Sequence, residues 1–196
     1  MMRRLYDWIL DLAGRPNALY FLALLSFAES MIFPIPPDVM LVPMCVAKPD
    51  RALLYALWCS IASVLGGVAG YALGMFFWDA VGPFFFDVVP GFTQEKFDLV
   101  GGYYQTWNFW IVFAAGFTPI PYKIITITAG VFGINFPIFV VASAVSRSAR
   151  FFIEAVLLKK YGTKAQEFID KRFNLVAMAF VVLLVGGFVA VSQLGH

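Results

Sequence analysis

The sequence predicts an all-α membrane protein with an inverted-topology repeat. Two re-entrant, proline-broken hairpins are each followed by a transmembrane helix, with an interfacial helix before them and a further transmembrane helix after. Three observations predict this. The composition is too apolar for a soluble domain, Pro-Ile-Pro occurs twice inside apolar sequence, and an 85-residue offset overlays one half of the chain on the other.

Of the 196 residues, 61% are hydrophobic and only 13% charged. Soluble domains carry roughly 25% charged residues, so this surface is not made for water. The net charge of +2 has no basic clustering, which argues against a nucleic-acid partner. Cys45 and Cys59 lie in apolar segments, and the one histidine, His196, ends the chain. Buried inert thiols are expected, and neither a metal site nor a cofactor.

Residues 1–16 carry Arg3 and Arg4 but only a brief apolar run interrupted by Asp7 and Asp11. They read as an amphipathic helix at the interface, with Trp8, Ile9 and Leu12 dipping into lipid. Hairpin one, 17–50, has apolar arms from Asn17 to Phe33 and from Val39 to Ala47, with an elbow at Pro34 and Pro36. Each arm is shorter than the roughly 20 residues a spanning helix needs. Helix 51–77 is long enough. An outer segment, 78–106, is expected as a loop with amphipathic pieces anchored by aromatic residues. Hairpin two, 107–136, repeats the short arms around Pro119 and Pro121, and helix 137–162 follows it. Residues 163–196 supply a linker and a last transmembrane helix, Leu175 to Leu194.

Basic residues favour the cytoplasmic side. The N-terminus sums to +1, the 78–106 segment to −3 and the 159–172 segment to +3. This places the N-terminus inside, with a bacterial inner membrane as the expected location, and lets the hairpins enter from opposite faces. Two full spans would have the same parity as one hairpin, so segment length carries that distinction. Matching breaks in two inverted halves point to a substrate site near the midplane.

Charge inside a membrane segment costs about 2.5–3.5 kcal/mol per residue on insertion scales, so such residues are functional candidates. They are Glu29, Asp38, Lys123, Arg147, Arg150 and Glu154, the last three at i, i+3 and i+7 on one helical face. Burial disfavours a charged carboxylate while a nearby arginine favours it, which makes Glu29, assisted by Asp38, the candidate proton-coupling group. Arg147, Arg150 and Lys123 are candidates for gripping a headgroup phosphate. The opposing reading is a structural ion-pair network, with Asp38 and Lys123 snorkelling to an interface. Gly66, Gly70 and Gly74 recur every four residues after Ala62, as in close helix packing or a homo-oligomer contact. No nucleophile motif or phosphate loop appears, so a catalytic site is not expected.

Four motifs resemble the DedA family, also described as SNARE-associated Golgi or VTT-domain proteins: ESMIFPIPPD, GGVAGYALG, FTPIPYKIITITAG and SRSARFFIEA. The resemblance covers about residues 18–162. It implies opposed re-entrant hairpins and the movement of lipids across the bilayer, in bacteria polyprenyl phosphates or phospholipids at the expense of a proton gradient. Glu29 matches the family's hairpin glutamate, and Asp38 its second acid at shorter spacing. Where many members carry arginines in hairpin two, this chain has Gly116 and Tyr122, with Lys123 one place further on. Membrane lipids and protons are thus the expected partners. The alternatives are a coupled small-solute transporter and a non-transporting membrane organiser.

Overall fold

A computed structural model describes residue 15 and residues 17–88, 93–118 and 121–162. The expected helices within 1–16 and 163–196, and the elbow residue Pro119, lie outside these. Among the described residues the chain is all-helical, with no strand. Six α-helices follow one another: α1 Ala18–Met31, α2 Asp38–Ala47, α3 Ala52–Val88, α4 Gln94–Phe117, α5 Tyr122–Val131 and α6 Phe136–Tyr161. A 3-10 turn, Pro49–Arg51, leads into α3.

The prolines break the helices where the sequence places them. Residues 34, 36 and 37 are all proline, so α1 loses the donors that would continue it and ends at Met31. The second break falls between Phe117 and Tyr122. Helix α6 begins at an Asn135 cap, whose side chain accepts from the Ile138 amide at 3.1 Å, with Pro137 in its first turn. It ends at Gly162, where φ is +56°.

Two helical segments are long and apolar enough to cross a membrane, Pro49–Ala80 and Phe136–Tyr161. The first contains the span expected at 51–77, and the second covers that expected at 137–162 up to residue 161. The 78–106 segment differs from expectation: α3 runs on to Val88 through Pro83, and α4 starts at Gln94. Charged residues, glycines and Pro83 give these helical turns the composition of a loop. The expected start of hairpin two at residue 107 coincides with a kink inside α4, where Trp107 leaves helical geometry (φ −114°, ψ 18°).

Helix α3 is the centre of the packing, in contact with α1, α5 and α6, while α4 packs on α6. Two apolar cores result. One joins Leu22, Met40, Leu41, Cys59 and Phe151, from α1, α2, the first part of α3 and the later part of α6. The other joins Tyr71, Val112, Tyr122, Ile134 and Phe139, from α4, α5, the later part of α3 and the first part of α6. Helices α3 and α6 therefore run antiparallel through both cores. Their outward faces stay apolar, with Leu57, Trp58, Ile61 and Leu65 on α3 and Val141, Val145, Ile153 and Val156 on α6 exposed.

Close backbone approach explains the glycine row. A Cβ at Gly66 would collide with the Phe27 carbonyl of α1, and one at Gly74 with the Ile127 carbonyl of α5. At Gly70 it would sit 2.5 Å from Thr126 Oγ1. The row is thus occupied within the chain, α1 and α5 seated on one face of α3.

Candidate functional site

Between the two apolar cores lies a polar layer. On α3 it falls at Ser63, between Cys59 of one core and Tyr71 of the other; on α6 it falls at Ser143, Ser146 and Arg147, between Ala142 and Phe151. Ser30 and Thr126 join it from α1 and α5, and Thr118 from the second break; all are fully buried. A polar side chain out of water needs a partner: Ser30, Ser63 and Arg147 find one another, while Thr118, Thr126 and Ser146 donate to carbonyls three or four residues back in the chain.

Two ion pairs occupy it. Arg147 Nη2 donates to Glu29 Oε2 at 3.0 Å. Arg150 Nη2 donates to Asp38 Oδ2 in a very short contact. The i, i+3 spacing that put the arginines on one face of α6 thus aims one at the end of α1 and the other at the start of α2. Glu154, one turn beyond Arg150, is also buried.

Arg147 is the more tightly held. Its Nε donates to Ser63 Oγ at 2.5 Å, and Ser63 shares a 2.7 Å hydrogen bond with Ser30. Its guanidinium carbon lies 4.8 Å from the ring centroid of Tyr122 and 4.7 Å from that of Phe151. Cation–π attraction and two fixed N–H bonds leave the group little rotational freedom. Only 3% of the Arg147 side chain is exposed, against 12% for Arg150 and 25% for Asp38, so the second pair is the one nearer the outside.

Lys123 stands apart from both pairs. Its Nζ donates to the Phe33 carbonyl at 3.0 Å, ninety residues away in the chain. Arg150 Nη1 lies 3.4 Å from the Thr118 carbonyl in the second break. Phe33 and Thr118 are the residues immediately before the two Pro-Ile-Pro motifs, so each break presents a carbonyl to a cation.

Of the residues singled out by sequence, Glu29, Asp38, Arg147 and Arg150 come together as two pairs in one layer, while Lys123 takes the end of α1. Ser30, Ser63, Tyr122 and Thr126 were missed as contributors. Small hydroxyls are common in apolar helices, so their composition carries no signal. Tyr122 stood out only as a departure from a pattern.

The VTT domain family matches residues 33–160, from the first break to the end of α6. The chain belongs to this family. Its VTT domain, the domain of DedA and SNARE-associated proteins, holds both breaks and both arginines, and VTT-domain proteins are membrane proteins. Similar proteins include an uncharacterized protein of Haemophilus influenzae, 38% identical over 183 residues, covering 92% of this chain and 93% of that one. Another, from Histophilus somni, is 38% identical over 186 residues, 92% and 96% of the two chains. An uncharacterized protein of the archaeon Methanocaldococcus jannaschii is 27% identical over 127 residues, 65% of this chain and 75% of that one. No solved structure matches.

Proposed function

We propose that this VTT-domain protein is a lipid transporter of the flippase or scramblase kind, moving an anionic lipid such as a polyprenyl phosphate or a phospholipid, with protons in exchange. The observation that carries the reading is the charge balance of the polar layer. Glu29 and Asp38 are each joined to an arginine in a chain whose outer faces are apolar. A phosphate entering the layer must take an arginine from a carboxylate, and a carboxylate that loses its arginine is favoured to take up a proton. Anion binding and proton uptake are thereby the same exchange. Arg150 with Asp38, the more exposed pair, meets the headgroup first.

In this reading α1–α2, and the part of α4 after the Trp107 kink with α5, are re-entrant hairpins entering from opposite faces of a bacterial inner membrane, with the N-terminus in the cytoplasm. Helices of 14 and 10 residues reach only about 21 and 15 Å, against a hydrocarbon core of about 30 Å. The 85-residue offset, and the packing of α1 on α3 matched by that of α4 on α6, support an inverted repeat.

Reconstitution in liposomes tests it. Labelled polyprenyl phosphate or phospholipid should change its headgroup accessibility, and Glu29→Gln should abolish the response to a pH gradient. No movement of either lipid under any gradient sinks the transport reading. The enclosure of Arg147 between Tyr122 and Phe151 favours a second reading, in which the pairs only fix the hairpins. That one is supported if neutralising both pairs together leaves transport intact.

A further inference from the structure

The C-terminal end of α1 is a helix end that its own sequence cannot cap. A carbonyl at position i looks to amides at i+3 and i+4; for Phe33 these are Pro36 and Pro37, which have none. The amides of Ile32 and Phe33 both turn back to the Ala28 carbonyl, at 2.9 and 2.7 Å, so the carbonyls that follow must look elsewhere. One of them is met by α5: Lys123 Nζ donates to the Phe33 carbonyl at 3.0 Å. Thr126 Oγ1, which donates to the Lys123 carbonyl of its own helix at 2.9 Å, lies 3.3 Å from the Ser30 carbonyl. Gly70 of α3 leaves the space that Thr126 needs.

From this geometry we infer that the end of α1 is a cation site which the chain fills with its own lysine. A helix C-terminus is the negative end of the dipole, and free carbonyls at a broken helix are the groups that coordinate small cations in membrane transporters. Here the ammonium of Lys123 stands in that position. It is tethered through α5, so the cation also fastens the second hairpin to the first. Lys123 is then a positioning residue for the two breaks and not a headgroup ligand. The inference does not rest on lipid being the substrate.

The experiment uses the full chain in detergent, with Lys123→Ala and thermal unfolding read in N-methylglucamine, sodium and propylammonium chlorides. The variant should unfold at lower temperature than the parent in N-methylglucamine and regain most of the difference with propylammonium, while the parent responds equally to all three salts. Recovery with sodium as well would support the inference and widen the site to any small cation. Lys123→Gln keeps a donor without the charge and should resemble Lys123→Ala. Thr126→Val should lower the midpoint without rescue by the amine, because the ammonium is still in place. If Lys123→Ala cannot be purified alone, extraction with propylammonium should yield folded protein. Equal behaviour of Lys123→Ala in all three salts, equal loss with and without the amine, or a Lys123→Gln protein matching the parent overturns the inference. A liposome assay gives a separate readout: transport by Lys123→Ala should fall about tenfold or more and return with propylammonium. Failure of the parent to transport lipid would leave the unfolding result standing.

Discussion

Ser63 takes the Nε proton of Arg147 into a 2.5 Å hydrogen bond across the α3–α6 contact, inside a layer that separates two apolar cores. A charged donor out of water is costly to leave unmet. Ser63→Ala should therefore destabilise the protein by about 1–3 kcal/mol. Ser30→Ala removes a neutral hydroxyl that touches Ser63, the Ser26 carbonyl and Glu29 but not the guanidinium, and should cost less. Detergent unfolding of both variants and of the double variant checks this, and equal effects would refute the ordering.

The Arg150–Asp38 pair predicts a non-additive series. Removing one partner costs about 3–5 kcal/mol at a fully buried pair, and less here, where a quarter of the Asp38 side chain is exposed. Asp38→Asn and Arg150→Gln should each be destabilising, and the double variant more stable than Arg150→Gln alone. A double-mutant cycle with no coupling would show that the two groups do not depend on each other.

Tyr122 holds Arg147 through its ring, so the hydroxyl and the ring can be separated. Tyr122→Phe keeps the ring 4.8 Å from the guanidinium carbon and should leave stability within about 1 kcal/mol, whereas Tyr122→Leu should lose about 0.5–2 kcal/mol more. Comparing the two in an Arg147→Met background isolates the contribution, because the difference should shrink there.

The glycines of α3 predict a sharp contrast with α4. Gly74→Ala puts a methyl group into the Ile127 carbonyl and should cost about 1–3 kcal/mol or displace α5. Gly102→Ala meets nothing within 4 Å on an exposed helical face and should be neutral or stabilising by up to about 1 kcal/mol. Unfolding midpoints that fail to separate these two variants would argue against the close seating of α5.

Much of this arrangement was legible in the sequence because lipid makes charge and proline conspicuous. Glu29, Arg147 and Arg150 stand out in apolar segments, and the helical spacing of the arginines puts them on one face. The breaks followed from proline's missing amide. What stayed hidden depends on three-dimensional adjacency alone. That Lys123 reaches Phe33, or Ser63 reaches Arg147, cannot be read from spacings of 90 and 84 residues. The helical character of 78–88 and 94–106 was masked for another reason. Charged residues, glycines and Pro83 resemble a loop in composition, although the backbone there is helical.

The seating of α1 and α5 on α3 has a kinematic consequence. At Gly66 and Gly74 the backbones are too close for either short helix to roll about its own axis without striking α3. The central helix behaves as a keyed shaft, with each broken unit fitted to it at its own slot. Sliding along α3 would likewise lift each carbonyl off its glycine, which leaves the proline breaks and the Trp107 kink as the places where the two units can bend.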